Sequence, residues 1–123
     1  MTPVETLQGM RDLLANPARW RQGRRAANAR GEFVNPTSVL AVCWCIVGAY
    51  EKVTKPPNAY VEEHPTTVYS AFESDPAGVY LQAQVKTEGP SVNAWSFNDS
   101  HTHPEVIGLI DAAISNAKKD ANV

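Results

Sequence analysis

A chain of 123 residues, 43% hydrophobic and 20% charged, has the length and composition of one folded domain, which excludes disorder throughout and requires no disulfide or metal staple. The formal net charge of -2 and the pI of about 5.9 exclude a uniformly basic protein. The longest apolar run, Val39 to Tyr50, is about half of the ~20 residues that a membrane-spanning helix needs, so no membrane partner is expected.

The first element is announced by Thr2, Pro3 and Glu5, in which threonine caps a first turn led by proline and glutamate reaches back. Val4, Leu7, Met10 or Arg11, and Leu14 follow at helical spacing, which predicts an amphipathic helix from about residue 3 to 15, ended by Asn16-Pro17. Between Trp20 and Val34 there is no helical stripe. "NARGEFV" reads there as a turn between two short extended pieces, a small hairpin. A second helix is expected from Asn35-Pro36 to about Val53, apolar almost all the way round and therefore central. Between Asn58 and Asn98 the pattern is weak: "TTVYSAFES" suits one or two helical turns, and "GVYLQAQVK" fits strand alternation and helical spacing alike. "GPSVNAWSFN" reads as a loop that lays Trp95 and Phe97 on the core. Thr102, Pro104 and Glu105 repeat the opening device, before a stripe of Val106, Ile110, Ala113, Ile114 and Ala117. The expected fold is mainly α, one compact helical domain over residues 1–123 with a small β-hairpin; the alternative is an α+β arrangement.

Both cysteines lie in "SVLAVCWCIVGAY". On a helix, Cys43 and Cys45 would point about 200° apart, so they could neither pair nor chelate one ion together. Buried thiols act as small hydrophobes, and no cofactor or metal is expected. Their scarcity suits a reducing, cytoplasmic setting, and the N-terminus lacks the basic and apolar regions of a signal peptide.

A polar loop, "FNDSHTHPE", precedes the last helix. Asn98, Asp99, His101 and His103, with Cys43 brought in from the central helix, are candidates for a small polar site, either Cys/His chemistry or a mixed metal site. The competing interpretation is structural, with Asn98 and Asp99 organising the turn through side-chain to backbone hydrogen bonds. Asp111 is expected to pair with an arginine or face water, and His64 is remote in sequence.

The charge is unevenly placed. All six arginines lie between residues 11 and 30, a net +5 once Asp12 is counted, whereas the chain after residue 30 is a net -6. Arg19, Trp20, Arg21, Arg24, Arg25 and Arg30 are the candidate partner-binding residues, because guanidinium groups grip carboxylates and phosphates and a tryptophan anchors interfaces. Three interpretations stay open: a solvated turn whose arginines pair with the acidic remainder, a docking segment for a partner with an acidic surface, and a nucleic-acid contact. Self-association through the opposed charges is a further option.

"ANPARWRQG", "CWCIVGA" and "FNDSHTHPEVIGLIDAAI" together resemble an uncharacterised family of short proteins from actinobacteria, other bacteria and their phages. Trp20, Gly23, Cys43, Cys45, Gly48, Ala49, Asn98, Asp99, Val106, Asp111, Ala113 and Ile114 carry the likeness. Residues 54–92 contribute little to it, and "RRAANAR" departs from the family's usual flavour. With no assigned activity, the family implies a shared fold and not a reaction; its occurrence on phages suggests an accessory protein acting on a host component. The expectation is a small non-enzymatic binding protein, such as a phage-encoded inhibitor or modulator of a host defence complex. The alternatives are a small metal-binding or Cys/His enzyme domain and a nucleic-acid binder.

Overall fold

A computed structural model describes residues 1–59, 65–89 and 92–122. Its longest elements are α1 (Pro3–Leu14) and α6 (His103–Ala121), each with a proline in its first turn. Each starts in a reciprocal capping box, Thr2 with Glu5 and Thr102 with Glu105, which satisfies amide donors that a helix start leaves open. Leu7, Met10 and Leu14 of α1 and Val106, Leu109, Ile110, Ala113, Ile114 and Ala117 of α6 turn inward. Burying a leucine- or isoleucine-sized side chain contributes roughly 1.5–3 kcal/mol, so these stripes dominate the pairing. At the rim Arg11 Nε meets Asp111 Oδ1 at 3.0 Å.

Four shorter helices complete the helical set among the described residues: α2 (Ile46–Thr54), α3 (Pro65–Ser74), α4 (Pro76–Val85) and α5 (Ala94–Ser100). α1 packs against α2, α4 and α6, and α4 also packs against α3 and α6. The ambiguous "GVYLQAQVK" is helical: Ala77, Leu81 and Val85, four apart, are buried, and Val79 faces solvent. Asp75 joins α3 to α4 by capping α4 at Ala77 N (2.9 Å) and accepting the Tyr50 hydroxyl (2.9 Å). The fold is thus mainly α, with one small antiparallel ladder of β1 (Ala26–Ala27) and β2 (Cys43–Trp44). The expected turn is present, closed by an antiparallel bridge between Ala27 and Phe33. Its longer partner comes from farther along the chain.

Two expectations are corrected. The helix predicted from residue 36 to 53 begins only at Ile46, because the preceding amides are spent elsewhere. Asn35 Oδ1 takes the Thr37 amide (3.0 Å), while the Val42 and Cys45 amides donate to Ala27 O (2.9 Å) and Arg25 O (3.1 Å). These are bonds to a distant segment, which periodicity within the stretch does not register. Trp44 is buried, its indole N–H donating to Pro36 O at 2.9 Å. The loop predicted from residue 89 to 98 holds α5, started by a capping box of Asn93 with Ser96; residues 90 and 91 lie outside the described part. Phe97 is buried and Trp95 half-buried.

Candidate functional site

The arginine segment leaves α1 through a short 3-10 turn, Pro17–Arg19, capped by Asn16. Trp20 then anchors it: its indole N–H donates to Asn98 Oδ1 at 2.8 Å, and its ring meets that of His103 edge-on at 5.8 Å. Gly23, with φ of 83°, turns the chain and donates its amide to Asp99 Oδ1 at 2.8 Å. Arg24 is exposed, but Arg25 is 5% exposed and does not belong to the surface set. Its Nη1 contacts Glu51 Oε1 at 2.8 Å and Oε2 at 3.0 Å, and its guanidinium lies 5.8 Å from the Phe33 ring centre. Burial pushes the Glu51 carboxyl above its ordinary range, against the pull of Arg25. The Arg25 carbonyl sits on α2 so closely that a Cβ at Gly48 would lie 1.8 Å from it.

Arg19, Arg24 and Arg30 are exposed and Arg21 half-buried. Among the described residues only Arg11 and Arg25 are ion-paired. Among the described residues the remaining four have no carboxylate partner. Arg21 Nε donates to a backbone oxygen, that of Gln22, at 3.3 Å.

The polar candidates do not assemble into one reactive cluster. Asn98 is fully buried and uses its whole side chain: Oδ1 accepts from Trp20 and from Ile46 N (3.1 Å), and Nδ2 donates to Arg21 O (3.0 Å) and Asp99 Oδ1 (3.3 Å). His101 stacks on Phe97 at 3.7 Å and turns Nδ1 to the Phe97 carbonyl at 2.9 Å. His103 Nε2 lies 2.7 Å from Leu14 O; a carbonyl only accepts, so that nitrogen carries the proton. Cys43 is half-buried on β2, its sulfur 3.9 Å from Ala27 O. Cys45 is fully buried and caps α2, accepting from Gly48 N at 3.4 Å. Its thiol is pushed up to about 12, chiefly by burial, with Asp99 and Glu51 adding to the shift. No three His, Cys, Asp or Glu side chains converge to hold a metal ion among the described residues, and His64 lies outside them. What this region does chemically is clamp three segments together: the 20–23 turn, the start of α2 and the end of α5.

Two surface hollows flank the arginine segment. One, of about 270 Å³, is lined by Gly23, Arg24, Arg25, Phe33 and Trp95. The other, of about 470 Å³, lies between the 28–32 turn and the 38–42 segment, with Arg30, Glu32, Val39, Leu40 and Val42 on its walls. Sequence reasoning missed Phe33, Trp95, Val39, Leu40 and Val42 as surface residues. The signal for the last three is "NPTS", a turn-forming tetrapeptide whose Asn35-Pro36 also fits a helix start.

Among the described residues no helix is long and apolar enough to cross a membrane. No curated protein and no solved structure matches the chain. A family model does match, over residues 1–116, and those residues include the Trp20–Asn98 and Gly23–Asp99 contacts. The chain belongs to the Family of unknown function (DUF6197).

Proposed function

We propose that the chain is a small non-enzymatic binding protein that docks on the acidic surface of another protein through Arg19, Arg21 and Arg24, with Arg30 at the edge of the same segment. The observation that carries this reading is the absence of any carboxylate partner for these four arginines among the described residues. Like charges crowded into one segment repel each other, and pairing with the acidic remainder would relieve the repulsion. These four make no such pairing among the described residues. Arg24, which shares a hollow with a half-buried Trp95 and an exposed Phe33, combines the bidentate contact and apolar anchors from which interface hot spots are built. In its full form the proposal is a cytoplasmic accessory protein of actinobacterial or phage origin, acting as an inhibitor or modulator of a host complex.

The same hollow favours one second reading, single-stranded nucleic acid stacked on Trp95 and Phe33 beside Arg24. Affinity capture from a lysate of the source cells, with and without nuclease, tests both. The wild type and the Arg19→Ala/Arg21→Ala/Arg24→Ala variant are compared, with Arg25 left intact because it is buried against Glu51. A nuclease-resistant protein retained in stoichiometric amount by the wild type and lost by the variant is the expected result. Identical retention by both proteins would overturn the docking reading. Retention that vanishes with nuclease would transfer the segment to nucleic acid.

A further inference from the structure

The groove between the 28–32 turn and the 38–42 segment is a second surface whose composition differs from that of the arginine face. Val39, Leu40 and Val42 are 76%, 63% and 47% exposed, three apolar side chains on one wall. Isolated exposed apolar residues need no explanation, but a group of them along a groove does.

The backbone that presents them is fixed. Leu40 N donates to Ser38 Oγ (3.1 Å), Ala41 N to Ser38 O (3.1 Å) and Val42 N to Ala27 O (2.9 Å). The opposite wall is equally tied down: Asn28 Oδ1 accepts from Arg30 N (2.9 Å) and Glu32 N (3.0 Å), and Gly31 takes a φ of 80° between them. A backbone already held by hydrogen bonds adds little ordering cost when a partner covers it.

The rim indicates which partner. Arg30 and Glu32 are both exposed, two positions apart on one turn, and neither is ion-paired among the described residues. Glu32 accepts only a long bond from Asn28 Nδ2, at 3.3 Å. Glu32 would repel the acidic partner that suits Arg19, Arg21 and Arg24. A groove with an apolar wall on one side and a cation and an anion together on the other is instead complementary to itself, since a two-fold axis that crosses it between Arg30 and Glu32 sets each cation opposite an anion of the second copy. We infer that a second copy of this chain covers the groove, forming a two-fold dimer in which Val39, Leu40 and Val42 meet their counterparts and Arg30 pairs with the partner's Glu32. The inference does not rest on the docking reading, which turns on Arg19, Arg21 and Arg24 and shares only Arg30 with it.

Analytical ultracentrifugation of the full chain across a wide concentration range tests it, with thermal melts to confirm that each variant is folded. The wild type is expected to show a concentration-dependent monomer–dimer equilibrium. Leu40→Asp should raise the dissociation constant by about tenfold or more, as for loss of a central interface residue. Arg30→Glu, which sets carboxylate against carboxylate, should also weaken the dimer, and adding Glu32→Arg should restore it. A wild type that stays monomeric at every concentration would overturn the inference. So would a dimer indifferent to Leu40→Asp, or a charge reversal that its partner change fails to rescue.

Discussion

Asn98 and Trp20, 78 positions apart, are joined by a 2.8 Å hydrogen bond from the indole N–H to the buried amide oxygen. The same amide accepts from Ile46 N and donates to Arg21 O, so one side chain ties α5 to the arginine segment and to the first turn of α2. Asn98→Ala would leave the Trp20 and Ile46 donors and the Arg21 carbonyl without their partner. At roughly 1–3 kcal/mol for an unsatisfied buried group, a loss of about 3 kcal/mol or more is expected in chemical denaturation. A loss under about 1 kcal/mol would show that the clamp is dispensable.

Gly48 and Gly108 should respond to alanine in opposite directions. At position 48 a Cβ would meet the Arg25 carbonyl at 1.8 Å, which forces the β1 segment away from α2 and should cost about 1–3 kcal/mol or more. At position 108, in α6, nothing lies within 4 Å, and the helix should gain about 0.5–1 kcal/mol from the better helix former. Equal melting temperatures for the two variants would contradict the close approach of Arg25 to α2.

The two thiols should separate kinetically. Cys45 is fully buried with its thiol pushed up to about 12, whereas Cys43 is half-buried. Thiolate is the reactive form, so a thiol reagent near neutral pH should modify Cys43 in the folded protein and Cys45 only at the rate of unfolding. In a Cys43→Ala variant, fast labelling under native conditions would contradict the buried cap.

The capping glutamates predict part of the acid response. Hydrogen bonds from the Thr2 backbone and side chain, and from those of Thr102, hold Glu5 and Glu105 below their ordinary value of 4.5. Below that value the unfolded chain binds the extra protons, so this stabilisation is present above about pH 4.5 and is lost as pH falls through the lowered folded values. Glu51, shifted upward by burial, has the opposite sign. A Glu5→Gln/Glu105→Gln variant keeps side chains able to bond back but cannot titrate, and should flatten the acid limb of the stability profile. An unchanged acid limb would contradict the capping account.

Legibility in the sequence followed the range of the interactions. α1 and α6 were readable because cap, proline and stripe all lie within one continuous segment. The 36–45 stretch was not, since its apolar residues suit a buried helix while its amides bond to Ala27 and Arg25. α5 was missed because its capping box is Asn93 with Ser96, a weaker signal than threonine with glutamate. At the candidate site, composition exposed the arginine cluster but could not sort its members. Arg25 is set apart from Arg24 by Glu51, 26 positions away in α2, and by the Phe33 ring. Asn98 and Asp99 could be marked as polar and turn-forming, yet their partners Trp20 and Gly23 lie more than 70 positions upstream.

The most direct test of the central claim, that Arg11 and Arg25 serve the fold while Arg19, Arg21, Arg24 and Arg30 are kept for a partner, is the stability of single alanine variants. Arg25→Ala strands the buried Glu51 carboxylate and should cost about 3–5 kcal/mol. Arg11→Ala breaks only a rim pair and should cost about 1 kcal/mol or less. Arg19→Ala, Arg21→Ala, Arg24→Ala and Arg30→Ala should each stay within about 0.5 kcal/mol of the wild type. Losses at these four positions comparable to that at Arg25 would make them structural residues and contradict the account.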